Sequence, residues 1–114
     1  MVPKALKVAE KLAKENISVE VLDPRTLVPL DEAAILNSIA KTNRAVVVDE
    51  GHLRGGAATD IAAMIGEKGF DSLDGPVRRV TSLDVPIPFS PPLEKVTIAD
   101  EARIEAAIRQ AVGA

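Results

Sequence analysis

The stretch that most constrains this chain runs Arg44-Ala-Val-Val-Val-Asp-Glu-Gly-His-Leu-Arg-Gly-Gly-Ala-Ala-Thr-Asp-Ile-Ala-Ala-Met-Ile65. Residues 45–48 are apolar and β-branched with no polar alternation, the pattern of a strand covered on both faces. The run breaks at Gly51, passes through a polar loop to Gly55-Gly56, and enters an alanine-rich apolar segment whose length and composition favour a helix. A strand, a loop and a helix in that order predict an α/β unit. In open sheets of this kind ligands and partners are met at the carboxyl ends of strands, which draws attention first to Asp49, Glu50, His52 and Arg54.

The remaining elements are read around that unit. Pro3 suits the first turn of a helix over residues 3–15, with Leu6, Ala9, Leu12 and Ala13 inward and Lys4, Lys7, Lys11 and Lys14 on the other side. Residues 17–22 alternate apolar and polar and are expected to form a strand. Pro24 and Pro29 keep residues 25–30 extended or irregular, and Asp31 is a candidate N-cap for a helix over 32–41, with Ala34, Ile35, Ile39 and Ala40 inward. Beyond the turn-rich residues 71–76, a third strand is expected at 77–81. Next comes Leu83-Asp-Val-Pro-Ile-Pro-Phe-Ser-Pro-Pro-Leu93, which cannot pair as a central strand because each proline removes a ladder donor. Its interleaved Val85, Ile87, Phe89 and Leu93 imply a rigid extended arm pressed on a surface, either its own or a neighbour's. Thr97 to Asp100 reads as a capping box ahead of a last helix carrying Ile104, Ala107, Ile108 and Ala111 on one face. This order predicts one domain spanning residues 1–114, a three-layer α/β/α fold with a mainly parallel sheet. It opens on a helix where an α/β unit normally opens on a strand, so one or more upstream strands are expected to be missing.

Composition narrows the function. With 114 residues, 46% of them hydrophobic, the chain is long enough for one domain with a core of its own and too short for two domains. A net charge of −3, two phenylalanines and no tyrosine or tryptophan offer neither a basic field nor a stacking platform for nucleic acid. Cysteine is absent, and no apolar run approaches the roughly 20 residues of a membrane span. The expectation is a cytoplasmic chain with no membrane or nucleic-acid partner.

The candidate sites each carry two readings. His52 is the sole histidine, so no histidine metal cluster can form, and a lone loop histidine is more often a solvated or hydrogen-bonded group than a catalyst. Asp49 and Glu50 point to opposite faces along a strand and make a poor acid–base pair. Gly55-Gly56 ahead of a helix could admit an anion to its free N–H groups, with Arg54 as counter-charge; the simpler reading is a glycine pair that makes the turn and allows close packing. Glu50, His52, Arg54, Gly55 and Gly56 are thus a candidate anion or partner loop. The third helix carries Ile61, Met64 and Ile65 with almost no polar side, which fits either internal core or an assembly interface, and Phe89 of the arm joins them as an interface candidate. No catalytic, cofactor-binding or metal-ligating residue is assigned.

Several of these segments resemble a family. Val46-Val-Val-Asp-Glu-Gly51, Gly55-Gly-Ala-Ala-Thr-Asp-Ile-Ala-Ala63, Lys68-Gly-Phe-Asp-Ser-Leu-Asp-Gly-Pro76, Arg79-Val-Thr81, Leu22-Asp-Pro-Arg-Thr-Leu-Val-Pro-Leu-Asp31 and above all Asp84-Val-Pro-Ile-Pro-Phe-Ser-Pro-Pro-Leu-Glu94 are similar to the carboxy-terminal, transketolase-like domain of the beta subunit of thiamine diphosphate-dependent 2-oxo acid dehydrogenases. These are the decarboxylating components of the pyruvate, branched-chain and acetoin dehydrogenase complexes; Ala58 to Ala63 looks closest to the acetoin type. The resemblance implies that the catalytic histidine and the contacts to thiamine diphosphate and magnesium lie in an upstream domain, leaving this chain without chemistry of its own. It further implies a role in holding the alpha subunit and a second beta subunit together and in presenting a surface to the peripheral binding domain of the lipoyl acyltransferase. Self-association of the isolated chain is also expected. The rival reading is an independent small anion-binding α/β domain or enzyme that uses the loop from Glu50 to Gly56.

Overall fold

Two pairs of helices enclose a short parallel sheet in the computed structural model, which describes residues 1–114. The chain runs α1 (Val2–Ala13), α2 (Glu32–Thr42), β1 (Val46–His52), α3 (Ala57–Lys68), a single 3-10 turn (Phe70–Ser72), β2 (Arg78–Ser82), α4 (Pro91–Thr97) and α5 (Glu101–Val112). β1 shows why its sequence lacks polar alternation. Val46 and Val48 pack with Val8 and Leu12 of α1, Val80 of β2 and Ile104 and Ile108 of α5, while Ala45 and Val47 pack with Ile35 and Ile39 of α2 and Met64 and Ile65 of α3. Both faces are covered, giving three layers.

β1 and β2 pair in parallel, with Val46 opposite Arg78, Val47 opposite Arg79 and Val48 opposite Val80. The register then breaks and resumes with His52 opposite Ser82, so Asp49, Glu50 and Gly51 oppose Thr81 alone. Such an irregularity at the end of a strand re-aims the side chains that follow it.

Four expectations are corrected. Residues 17–22 join no sheet: Ser18 to Asp23 form no backbone–backbone hydrogen bond, so the sheet has two strands. The alternation is present, but a strand also needs a neighbour to pair with, and none is within reach. In α1 the buried residues are Val8 and Leu12, while Leu6 is exposed, because the α5-facing stripe is the one that meets the sheet. The arm is not extended throughout; Pro91 and Pro92 occupy the first turn of α4, where a missing N–H is harmless. Asp100 rather than Thr97 caps α5, accepting from the Arg103 N–H at 2.8 Å, as Asp31 accepts from Ala34 for α2. The Thr97 hydroxyl instead donates to the Leu93 carbonyl.

α1 and α5 lie side by side in the same direction, linked by a ladder of polar contacts. Lys4 Nζ donates to the Ala99 carbonyl at 2.9 Å, Lys7 meets Glu101 at 3.4 Å, Lys11 meets Glu105 at 2.7 Å, and Arg109 reaches Glu15 at 2.8 Å and Glu105 at 2.9 Å. The hydrogen bond from Lys11, then that from Arg109, holds the Glu105 carboxyl below its ordinary range. A depressed folded-state pKa stabilises the native chain above the ordinary glutamate value near 4.5, and that contribution is lost as pH falls through the folded value. Acid unfolding followed by circular dichroism should therefore show a shallower loss of stability below about pH 4.5 for Glu105→Gln than for the parent. In the core, Leu12 is fully buried. Leu12→Ala should cost about 2–5 kcal/mol in urea unfolding, through lost transfer energy and the cavity left behind.

Candidate functional site

The carboxyl ends of β1 and β2 carry a clasp made of loop, strand and arm. Ser82 Oγ donates to the Glu50 carbonyl at 2.6 Å, tying the end of β2 to the bulged part of β1. Arg79 Nη1 donates to the Leu53 carbonyl and to Thr59 Oγ1, each at 2.9 Å, and Thr59 Oγ1 donates to the same carbonyl at 3.0 Å. The loop is thereby held against the start of α3. The arm is bound next: the Arg54 N–H donates to Asp84 Oδ1 at 3.2 Å, the Arg54 guanidinium pairs with Asp84 Oδ2 at 3.3 Å, and His52 Nε2 lies 2.8 Å from the Val85 carbonyl. A carbonyl only accepts, so this contact requires the tautomer with its proton on Nε2. The Leu83 N–H also donates to the Thr97 carbonyl.

The five candidate loop residues come together here, each in a defined setting. Glu50 is exposed and its carboxylate lies 3.7 Å from the amino group of Met1. Arg54 faces Asp84, which offsets its charge locally. Gly55 has φ +68°, a left-handed conformation that side chains rarely adopt. At Gly56 a Cβ would sit 2.7 Å from the His52 carbonyl oxygen, too close for any other residue without a backbone shift. The glycine pair thus makes the turn and permits the close approach of α3 to β1. Asp49 is half-buried, its carboxylate against Gly51. Among the interface candidates, Met64 and Ile65 are buried in the internal core, Ile61 is half-buried against it, and Phe89 is fully exposed. Asp84, Arg79 and Ser82 were not singled out from the sequence. For Ser82 and Asp84 the signal was available, since they lie at or just beyond the carboxyl end of β2, subject to the same rule that drew attention to Asp49 and Arg54; Arg79, near the amino end of β2, carried no such signal.

Chemically, these contacts fasten the loop to β2, α3 and the arm. The donor set does not fit thiamine diphosphate with its magnesium: Arg54 is paired to Asp84, Arg79 is committed to Leu53 and Thr59, and no three histidine, aspartate or glutamate side chains converge as metal ligands. No reaction step is assigned to these residues.

Comparison with known proteins fits this architecture. The model of the family described as transketolase, C-terminal domain, matches residues 1–104. The chain belongs to the transketolase C-terminal domain family. The beta subunit of acetoin:2,6-dichlorophenolindophenol oxidoreductase from Bacillus subtilis is 53% identical over 90 residues, covering 79% of this chain and 26% of the relative. The pyruvate dehydrogenase E1 component subunit beta of Rickettsia felis is 41% identical over 106 residues, covering 93% of this chain and 32% of the relative. A solved split-gene transketolase, described as an inactive beta4 tetramer, superposes with a TM-score of 0.81 at 27% identity over 98% of this chain and 35% of that one. This transketolase C-terminal domain therefore spans about a quarter to a third of the length of the curated relatives it matches, which are beta subunits of acetoin- and pyruvate-oxidising enzymes.

The Gly56 contact generates a test within this domain. Gly56→Ala should lower stability by about 1–3 kcal/mol through overpacking against the His52 carbonyl. Gly66→Ala, in the open middle of α3 with nothing within 4 Å, should raise it by about 0.5–1 kcal/mol. Parallel thermal melts of the two variants check both signs.

Proposed function

We propose that this chain is the carboxy-terminal assembly domain of the beta subunit of a thiamine diphosphate-dependent 2-oxo acid or acetoin dehydrogenase. It holds alpha and beta subunits together and offers a docking face to the lipoyl acyltransferase, while the cofactor and its chemistry sit elsewhere in the enzyme. The supporting observation is the arm. Leu83, Val85, Ile87, Phe89, Leu93 and Val96 are all substantially exposed, Phe89 completely, whereas the arm's polar groups turn inward to Arg54, His52 and Thr97. Exposed apolar side chains gathered along one short segment fit an interaction site. Prolines and the clasp fix its shape beforehand, which lowers the ordering cost of association. The names of the relatives supply the enzyme class, since each is a beta subunit.

The test replaces the carboxy-terminal domain of the Bacillus subtilis relative with this chain and follows assembly with an alpha subunit by sedimentation. Assembly is expected for the chimera, and Phe89→Ser should weaken it at least tenfold while leaving the melting temperature of the isolated chain within a few degrees, as for an exposed surface position. A monomeric chimera would refute the assignment. Titration of the isolated chain with phosphate or thiamine diphosphate should leave its melting temperature flat; a concentration-dependent rise would favour the anion-binding loop instead.

A further inference from the structure

The turn between the 3-10 segment and β2 holds a peptide bond placed for a rearrangement of its own backbone. Asp74 is exposed, and Gly75 follows it with no side chain to shield its nitrogen. An aspartate carboxyl is open to attack by the peptide nitrogen of the next residue when that nitrogen is free and approachable. Both conditions hold here. The Gly75 N–H donates to no carbonyl, and even a Cβ added at Gly75 would meet nothing nearer than Arg44 Nη1 at 3.6 Å. At comparable positions the fold withholds a requirement. The Ser72 N–H, which follows Asp71, is bonded to the Gly69 carbonyl at 3.0 Å, and Ser38, which follows Asn37, lies inside α2. Asn16 is followed by the β-branched Ile17, whose N–H donates to the Leu12 carbonyl at 3.0 Å, and Asp84 has its carboxylate held by Arg54.

We propose that the bond between Asp74 and Gly75 is a site of isoaspartate formation in the folded chain. The Gly75 nitrogen bonds to Asp74 Cγ while the Cγ–OH bond of the acid breaks; the hydroxyl leaves as water with the N–H proton, closing a succinimide. Water then reopens the ring. Cleavage between the nitrogen and Cγ restores aspartate. Cleavage between the nitrogen and the Asp74 main-chain carbonyl carbon leaves the backbone running through Cβ and Cγ, one carbon longer, with a carboxylate on Cα. Water is the sole co-reactant, and the balance of atoms is unchanged. The turn registers the extra carbon because it is pinned on both sides. The Asp74 N–H donates to the Asn43 carbonyl at 2.9 Å, Asn43 Nδ2 donates to the Ser72 carbonyl at 2.8 Å, and the Arg78 N–H donates to the Ala45 carbonyl at 3.0 Å. The segment between these bonds sets where β2 begins beside β1, so the lengthened form strains the opening of the sheet. This chemistry is independent of the subunit assignment.

The experiment ages the 114-residue chain in neutral buffer, folded and in parallel unfolded in urea. Isoaspartate is read at each position by peptide mapping with electron-transfer fragmentation, and in total by methyl transfer from S-adenosylmethionine with an isoaspartyl methyltransferase. In the folded chain it should collect at residue 74 about tenfold faster than at Asp71. Unfolding should accelerate Asn37 and Asp71, where it frees the following N–H, and change the rate at residue 74 by less than about threefold. Gly75→Ala should slow residue 74 about tenfold, since a methyl group then flanks the attacking nitrogen. The converted fraction should melt a few degrees below the fresh chain. A folded chain in which residue 74 reacts no faster than Asp71 would overturn the proposal. So would a rise at residue 74 on unfolding as large as that at Asp71, because the native turn would then be shielding the bond. Converted and fresh chains that melt together would overturn the effect on β2.

Discussion

Burial of β1 on both faces is the condition on which the rest of this structure depends. A valine or isoleucine removed from water contributes roughly 1.5–3 kcal/mol, but only when something apolar covers it. Val46 and Val48 point one way and Ala45 and Val47 the other, so a single run of four residues calls for two separate cores. The chain supplies them from its extremes. α1 and α5, from opposite ends of the sequence, form one cover, and α2 and α3, which flank β1 in sequence, form the other. A small domain with a two-stranded sheet can be layered on both sides only because its helices outnumber its strands.

Local patterns were legible wherever local physics decides the outcome. The uninterrupted β-branched run gave β1, Asp31 marked the start of α2, and the apolar stripe of α5 placed Ile104 and Ile108 inside. What could not be read is what depends on distant partners. In α1, Leu6 and Val8 both belong to plausible apolar stripes on the helical wheel, and only the position of α5 decides that Val8 is buried. Residues 17–22 carry the alternation of a strand, yet pairing is a property of two segments and one of them was not theirs to supply. Pro91 and Pro92 read as breakers in isolation; as the opening turn of α4 they are well accommodated.

The same distinction governs the loop between Glu50 and Gly56. Charged and glycine residues after a strand are equally compatible with anion capture and with fastening. The difference lies in Asp84 and Arg79, residues some 25 to 30 positions away whose contacts commit the loop's polar groups to the protein itself. With hydrogen-bonding capacity directed inward, the outward surface of the arm is left to apolar side chains. Membership of the transketolase C-terminal domain family accords with this division, since a domain occupying about a quarter to a third of its relatives' length need not carry their chemistry.

The ladder between α1 and α5 also works as a ruler. Lys11 with Glu105 and Glu15 with Arg109 are each separated by 94 residues, a constant offset between two helices that run the same way. Sliding one helix past the other by a single turn, about 5.4 Å, would keep the apolar stripes in contact and so be only weakly opposed by hydrophobic burial. It would, however, bring Lys11 opposite Arg109 in one direction and Glu15 opposite Glu105 in the other. The rungs run positive, positive, negative on the first helix and its end against negative, negative, positive on the last, so either misalignment trades three opposite-charge rungs for one and adds a like-charge pair.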